Sequence, residues 1–140
     1  MELENIQLVR EAFSEFVRRD LRAILNHLAD NVEWVEPGGP DIPYAGVFYG
    51  HGGVLKFFER LWDSVELLRF EPRHFTAAGD LVGAFGWWQA KAKATGRVLE
   101  SPWSMLFTIR DGKIVRFETF VDTATTAGAF RQEKVAASGL

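Results

Sequence analysis

Trp103-Ser104-Met105-Leu106-Phe107-Thr108-Ile109-Arg110-Asp111-Gly112-Lys113-Ile114-Val115-Arg116-Phe117-Glu118-Thr119-Phe120-Val121 is two strand-forming runs joined by a turn. β-branched and aromatic residues fill both runs. Asp111-Gly112 between them is a hairpin signal, because both residues accept the positive dihedrals of a tight turn. The stretch predicts an antiparallel pair over 103–109 and 114–121. The same texture reaches back to about Val65, broken at Ala78-Gly79-Asp80 and Thr95-Gly96-Arg97. Connections this short join antiparallel neighbours. A meandering, mainly antiparallel sheet is therefore the expectation for the second half of the chain.

The first half supplies its cover. Leu3, Ile6, Val9, Phe13, Phe16 and Val17 recur at the period of an amphipathic helix. Asp20 is placed as an N-cap for a second, short helix that turns Leu21, Ile24, Leu25 and Leu28 to one side. Val32, Trp34 and Glu36 alternate as a short strand, which Pro37-Gly38-Gly39-Pro40 ends. Pro40, Pro43 and Gly46 make the segment to Gly50 a loop, and His51-Gly52-Gly53 opens a third helix with Val54, Phe57, Phe58, Leu61 and Trp62 as its buried stripe. Residues 123–130 predict a short terminal helix and 131–140 a mobile tail. Helices first and a meander afterwards define an α+β fold in one domain, residues 1–130, with the helices on one sheet face.

Two strands look apolar on both sides. In 103–109, Ser104, Leu106 and Thr108 share one face, and Trp103, Met105, Phe107 and Ile109 the other. In 114–121, Phe117 and Val121 oppose Ile114 and Phe120. A sheet with one wet face should alternate cleanly. The expectation is that Trp103, Met105, Phe107, Ile109 and Phe120 form an outer row covered by a second copy of the chain, in a homodimer.

Composition narrows the function classes. The 140 residues are 47% hydrophobic and 25% charged, the balance of an ordinary globular domain. Aromatics reach 14%, with 12 Phe and 5 Trp, which favours a deep core or a lined cavity. A net charge of −3 gives no electrostatic footprint for nucleic acid. The absence of cysteine excludes disulfides and thiolate chemistry. Glu2, Glu4 and Arg10 interrupt any leader-like run, and no stretch approaches the roughly 20 apolar residues of a membrane span. The expectation is a cytoplasmic protein without a membrane partner.

The order of these elements, with the residues at their joints, resembles the nuclear-transport-factor-2-like superfamily, and within it the SnoaL-like and ketosteroid-isomerase-like branch. The resemblance is carried by Arg19-Asp20-Leu21 through Ala29-Asp30-Asn31, Val35-Glu36-Pro37, Tyr49-Gly50-His51-Gly52-Gly53, Pro102-Trp103-Ser104 and Arg110-Asp111-Gly112-Lys113-Ile114-Val115. It spans roughly residues 2–130. It implies a cone-shaped, strongly curved sheet wrapped by three helices around a deep apolar pocket, and a homodimer through sheet faces.

Glu36 is the chief candidate for chemistry. Strand parity puts it on the side of Val32 and Trp34, which face the core, and desolvation among aromatic rings raises a carboxyl pKa toward that of a proton shuttle. In the isomerases that the chain resembles, the general base occupies a matching acid-Pro pair. The competing reading is a strand-end glutamate facing solvent at the pocket mouth. The isomerases also use a tyrosine and a protonated aspartate as oxyanion donors. The matching positions here fall at Ala12, beside Phe13, and at Ser104, a weaker donor. Trp34, Phe13, Phe16, Phe57 and Phe58 are candidate walls, and Tyr44 sits on the loop over the mouth. By resemblance Phe117, Thr119 and Val121 line the cavity, and Leu106 joins Ser104 there. Trp87 and Trp88 are adjacent, so one faces in; the small residues Ala84, Gly86, Ala90 and Ala92 share the face of Trp88 and leave it room. His27 falls opposite the apolar stripe, His51 serves a turn, and the facing of His74 is ambiguous. The spacing of the histidines suggests no metal site. Asp122 reads as a cap on the terminal helix.

Two functions stand side by side. One is a cofactor-free enzyme of the SnoaL-like type that moves a proton on a small apolar ring compound, with Glu36 as base and Ser104 or water as donor. The other is a non-catalytic module that holds a hydrophobic small molecule.

Overall fold

The computed structural model describes residues 1–131. Helix α1, Glu2–Val17, turns Val9, Ala12 and Phe13 inward, and α2, Leu21–Asn26, begins where Asp20 Oδ1 accepts from the Ala23 N–H at 3.2 Å. Strand β1 is Leu28–Glu36, so Leu28 belongs to the strand and not to the helix before it. Gly46–Tyr49, expected as loop, forms a short strand, β2: the edge of β1 recruits it, with Glu33 opposite Tyr49 and Glu36 opposite Gly46. Four residues are too few to show a period of their own. Helix α3 is Gly50–Ser64, with Val54, Phe57, Phe58 and Leu61 buried.

The meander follows as β3 (Val65–Ala78), β4 (Leu81–Ala92), β5 (Val98–Arg110) and β6 (Lys113–Val121), and α4 (Thr123–Phe130) closes the described chain. The sheet is six-stranded in the order β2-β1-β6-β5-β4-β3. All pairings are antiparallel except β1 with β6, which is parallel and puts Trp34 beside Phe117. The two end strands do not meet, so the curved sheet stays open. Turn residues Asp111 and Gly112 both have positive φ, 51° and 73°, as the hairpin signal requires. The predicted tail at 131–140 lies outside the described residues except for Arg131, whose Nε donates to Asp41 at 2.8 Å.

The faces of β5 are the reverse of the expectation. Trp103, Phe107 and Ile109 are buried within the fold, whereas Ser104, Leu106 and Thr108 lie on the outer face. The cause is a bulge in the hairpin. Arg110 pairs with Lys113 and Ile109 with Ile114, but Thr108 pairs with Arg116, so Val115 is an extra residue on β6. One extra residue shifts the register by one and exchanges the faces. It also lets Ile114 and Phe117 both point inward, while Phe120 stays half exposed outside. Except for Phe120, the row expected to be covered by a second copy therefore faces the core. On the outer face Phe85, Ser104 and Phe120 sit side by side across β4, β5 and β6, both phenylalanines exposed.

Candidate functional site

A cavity of about 100 Å³ lies between the concave sheet face and the helices. By the same measure one water needs about 10–15 Å³, so the space holds several waters or part of a small molecule. Its wall is almost entirely apolar. Phe13 and Phe16 come from α1, Phe57 and Phe58 from α3, Trp34 from β1, and Phe117 and Val121 from β6. Trp88 also faces in, among the small side chains of its strand, and Tyr44 closes the mouth against Phe57 and Phe130, at ring separations of 6.3 and 6.0 Å. Of the expected lining residues, Ser104 and Leu106 are misplaced, because the bulge turns them outward. Val32 is buried in the core but does not reach the cavity. In their place stand Trp103, Met105 and Phe107, joined by Ile114 and Phe70.

Glu36 is the last residue of β1, and Pro37, which cannot donate to a ladder, stops the strand there. The side chain is nine-tenths buried and lines the cavity, so the solvent-facing reading does not hold. Parallel pairing with β6 places Thr119 alongside, and its Oγ1 donates to Glu36 Oε1 at 2.6 Å. Burial raises the Glu36 pKa to about 8, against the opposing pull of the Thr119 hydroxyl. Tyr44 is held above its ordinary range, first by burial and then by the charge of Glu36, so its phenol stays protonated. Glu36, Thr119, Tyr44 and Thr126 are the carboxyl- and hydroxyl-bearing side chains of the cavity lining.

Ala12, the position matched to the isomerase tyrosine, does line the cavity and has no hydroxyl. The aspartate position fares no better: Ser104 is outside, and its inward neighbours are Trp103 and Met105. The histidines take no part in the cavity. His27 pairs with Glu15 at 2.9 Å, so it is engaged and not simply solvated. His51 Nε2 lies 3.0 Å from the Leu28 carbonyl and ties α3 to β1, and His74 is exposed. Asp122 caps α4, accepting from the Thr125 N–H at 3.1 Å and the Thr125 hydroxyl at 2.8 Å. Among the described residues no three His, Asp or Glu side chains converge as metal ligands would, and no helix is long and apolar enough to cross a membrane.

Sequence and structure comparisons agree with this picture. The profile of the SnoaL-like domain matches residues 9–117. An uncharacterized protein of Mycobacterium tuberculosis is 28% identical over 126 residues, 87% of this chain and 92% of its own length. The crystal structure of an NTF2-like protein from Burkholderia xenovorans superposes with a TM-score of 0.86 at 30% identity, covering 94% of this chain and 98% of that one. TerC, co-crystallized with polyporic acid, superposes with a TM-score of 0.83 at 28% identity, covering 92% and 99%. The chain belongs to the SnoaL-like family within the NTF2-like superfamily.

Proposed function

We propose that the protein is a cofactor-free proton-transfer enzyme, of the isomerase or cyclase type, acting on a small apolar ring compound. The observation that supports this reading best is the setting of Glu36: a buried carboxyl at the wall of an aromatic cavity, with its pKa raised to about 8. A base works best when its pKa lies near the operating pH, because it is then both available in the ionised form and strong enough to take a proton. Removing a proton beside a carbonyl creates an enolate. Tyr44, protonated and within the electrostatic reach of Glu36, is the group to donate to that oxygen, in the role that the sequence alone assigns to Ser104 or water. The co-crystal of TerC with polyporic acid supports a small-molecule role for the fold.

The rival reading, a non-catalytic binder, is favoured by one observation: Ala12 and the outward Ser104 leave both isomerase donor positions empty. Deuterium exchange separates the two. The α-protons of 2-tetralone, followed by NMR in deuterated buffer, should exchange faster with the protein than without it, with a rate that rises with pH and levels above about 8. Glu36→Gln should abolish the acceleration, and Tyr44→Phe should lower it by about 10²–10³-fold, the usual cost of one oxyanion donor. No acceleration, or acceleration that survives Glu36→Gln, refutes the catalytic reading.

A further inference from the structure

A second space, a cleft of about 220 Å³, shares Phe16 and Phe70 with the cavity, and these two rings meet edge to face at 5.0 Å. It lies where α1 and α3 end and β3 begins. Val17 closes α1 and Arg19 follows it, Trp62 comes from α3, and Leu67 and Leu68 come from β3. Strand β3 is an edge of the sheet. Leu67 pairs with Ala90 and Arg69 with Gln89, so Leu68 is an extra residue in a bulge, a device that re-aims side chains. Leu68 is left 40% exposed and Val17 54% exposed, both at the cleft. Floor and rim are therefore apolar. Arg69 also borders the cleft, but its guanidinium is engaged with Glu71 at 2.6 Å.

Arg19 is placed differently. Its backbone is left-handed, with φ 56°, directly after α1. The Asp20 N–H donates to the Glu15 carbonyl at 2.8 Å and the Arg19 N–H to the Phe16 carbonyl at 3.0 Å. Helix ends closed in this way favour glycine, because a Cβ strains the left-handed conformation. An arginine here needs a reason in its side chain. The guanidinium lies over the Trp62 ring at 5.3 Å, which holds it at the cleft. Among the described residues it makes no ion pair and donates no hydrogen bond. Its neighbour Arg18 is engaged with Ser14 at 2.6 Å, and Asp20 is committed to the cap of α2. No carboxylate of the described residues lines the cleft. A guanidinium carries five N–H donors in a fixed fork that matches a carboxylate, and packing its flat face on an indole leaves the edge free.

We infer that the cleft is a second binding site, separate from the cavity, for an organic carboxylate with a flat apolar body. The body lies on Phe16, Phe70 and Leu68, and the carboxylate pairs with Arg19. The site goes beyond the proposed reaction and does not depend on it. The cavity has the opposite preference, since an ionised Glu36 repels a second carboxylate.

Isothermal titration calorimetry on the full chain with 2-naphthoate and 2-naphthamide, equal in shape and different in charge, tests this. The carboxylate should bind about five- to tenfold more tightly, between the yield of an exposed ion pair and that of a charge-assisted hydrogen bond. Arg19→Gly should lose that preference, and the urea midpoint should not fall, because glycine relieves the positive φ. Leu68→Glu, which sets a like charge at an exposed place in the cleft, should lose the preference too. Glu36→Gln should keep it. Equal binding of the two probes overturns the inference, as does no binding of either. A preference that survives Arg19→Gly or Leu68→Glu also overturns it, the first result marking an arginine that only clamps Trp62. If Arg19→Gly loses both preference and stability, Leu68→Glu decides. A preference lost in Glu36→Gln puts the anion in the cavity and ends the second site, whatever the exchange assay shows of catalysis.

Discussion

Replacing Glu36 by glutamine should change how the stability of the protein depends on pH, and by a large amount. The amide keeps the shape and an oxygen for the Thr119 hydroxyl, but it does not titrate. In the unaltered protein the carboxyl titrates near 8 when folded, against an ordinary 4.5. The folded state therefore holds this proton more tightly than the unfolded one, and the stabilisation is complete below about pH 4.5 and is lost as pH rises through 8. Between these values folding weakens by about 1.4 kcal/mol per pH unit, about 5 kcal/mol across the window. Other shifted groups act elsewhere. Glu71 and Asp122 are held low by Arg73 and Thr125, so their contributions are lost on acidification, and Tyr44 acts only above its ordinary pKa of 10. They cancel when the variant is subtracted. Urea unfolding at intervals from about pH 5 to 9 should give a difference, unaltered protein minus Glu36→Gln, that falls steeply and levels above about pH 8. A flat difference, or one complete by about pH 6, would show that the carboxyl is hydrated and would remove the basis for its role as a buried base.

Ketosteroid isomerisation should be absent or at least about 10²–10³-fold below that of a specialised enzyme, because Tyr44 alone stands in for two oxyanion donors; a steroid assay on the unaltered protein checks this, and Ser104→Asp should leave the rate unchanged because the residue is outside. Asp122→Ala should cost about 1 kcal/mol of stability through loss of the α4 cap, read as a lowered urea midpoint; an unchanged midpoint would mean that the cap contributes nothing. A homodimer should form through the face on which Phe85 and Phe120 flank Ser104. Sedimentation at micromolar concentration should show it, and the pair Phe85→Asp with Phe120→Asp should convert it to monomer; a monomeric unaltered protein ends that expectation.

Much of the architecture is legible in the sequence because it is written in local signals. The period of α1, the caps Asp20 and Asp122, the Asp111-Gly112 turn and the acid-Pro stop at Glu36 each act within a few residues, and each lies where its signal puts it. The facing of β5 is not legible, for one reason. A two-residue turn without irregularity pairs Leu106 with Phe117 and Ser104 with Thr119, putting both in the cavity. The bulge at Val115 instead pairs Phe107 with Phe117 and Met105 with Thr119. Nothing in Ile114-Val115-Arg116 announces a bulge, since no glycine is needed for one. Burial selects it: the shifted register buries Trp103, Phe107 and Ile109 and leaves Ser104 and Thr108 outside, which is the better division of apolar surface. That choice depends on the whole sheet. Trp103 escapes sequence reasoning as a cavity residue for the same reason, because simple alternation assigns it to the outer face.

The environment of Glu36 follows from three such local events acting together. Pro37 ends β1, so the carboxyl is the last inward side chain on its strand. Parallel pairing with β6 then fixes Thr119 as its neighbour, the one group that moderates its pKa. Immediately after β6, Asp122 turns the chain into α4, whose Thr126 reaches the cavity and whose Phe130 packs on Tyr44. The roof over the carboxyl is therefore made by a cap that never touches it. Since burial is the largest cause of the raised pKa, loosening that roof should bring the Glu36 pKa down toward 4.5. In Asp122→Ala the pH at which α-proton exchange levels off should accordingly fall. A lower midpoint of unfolding with an unmoved pH profile would mean that Tyr44 and the aromatic wall keep water out without help from α4.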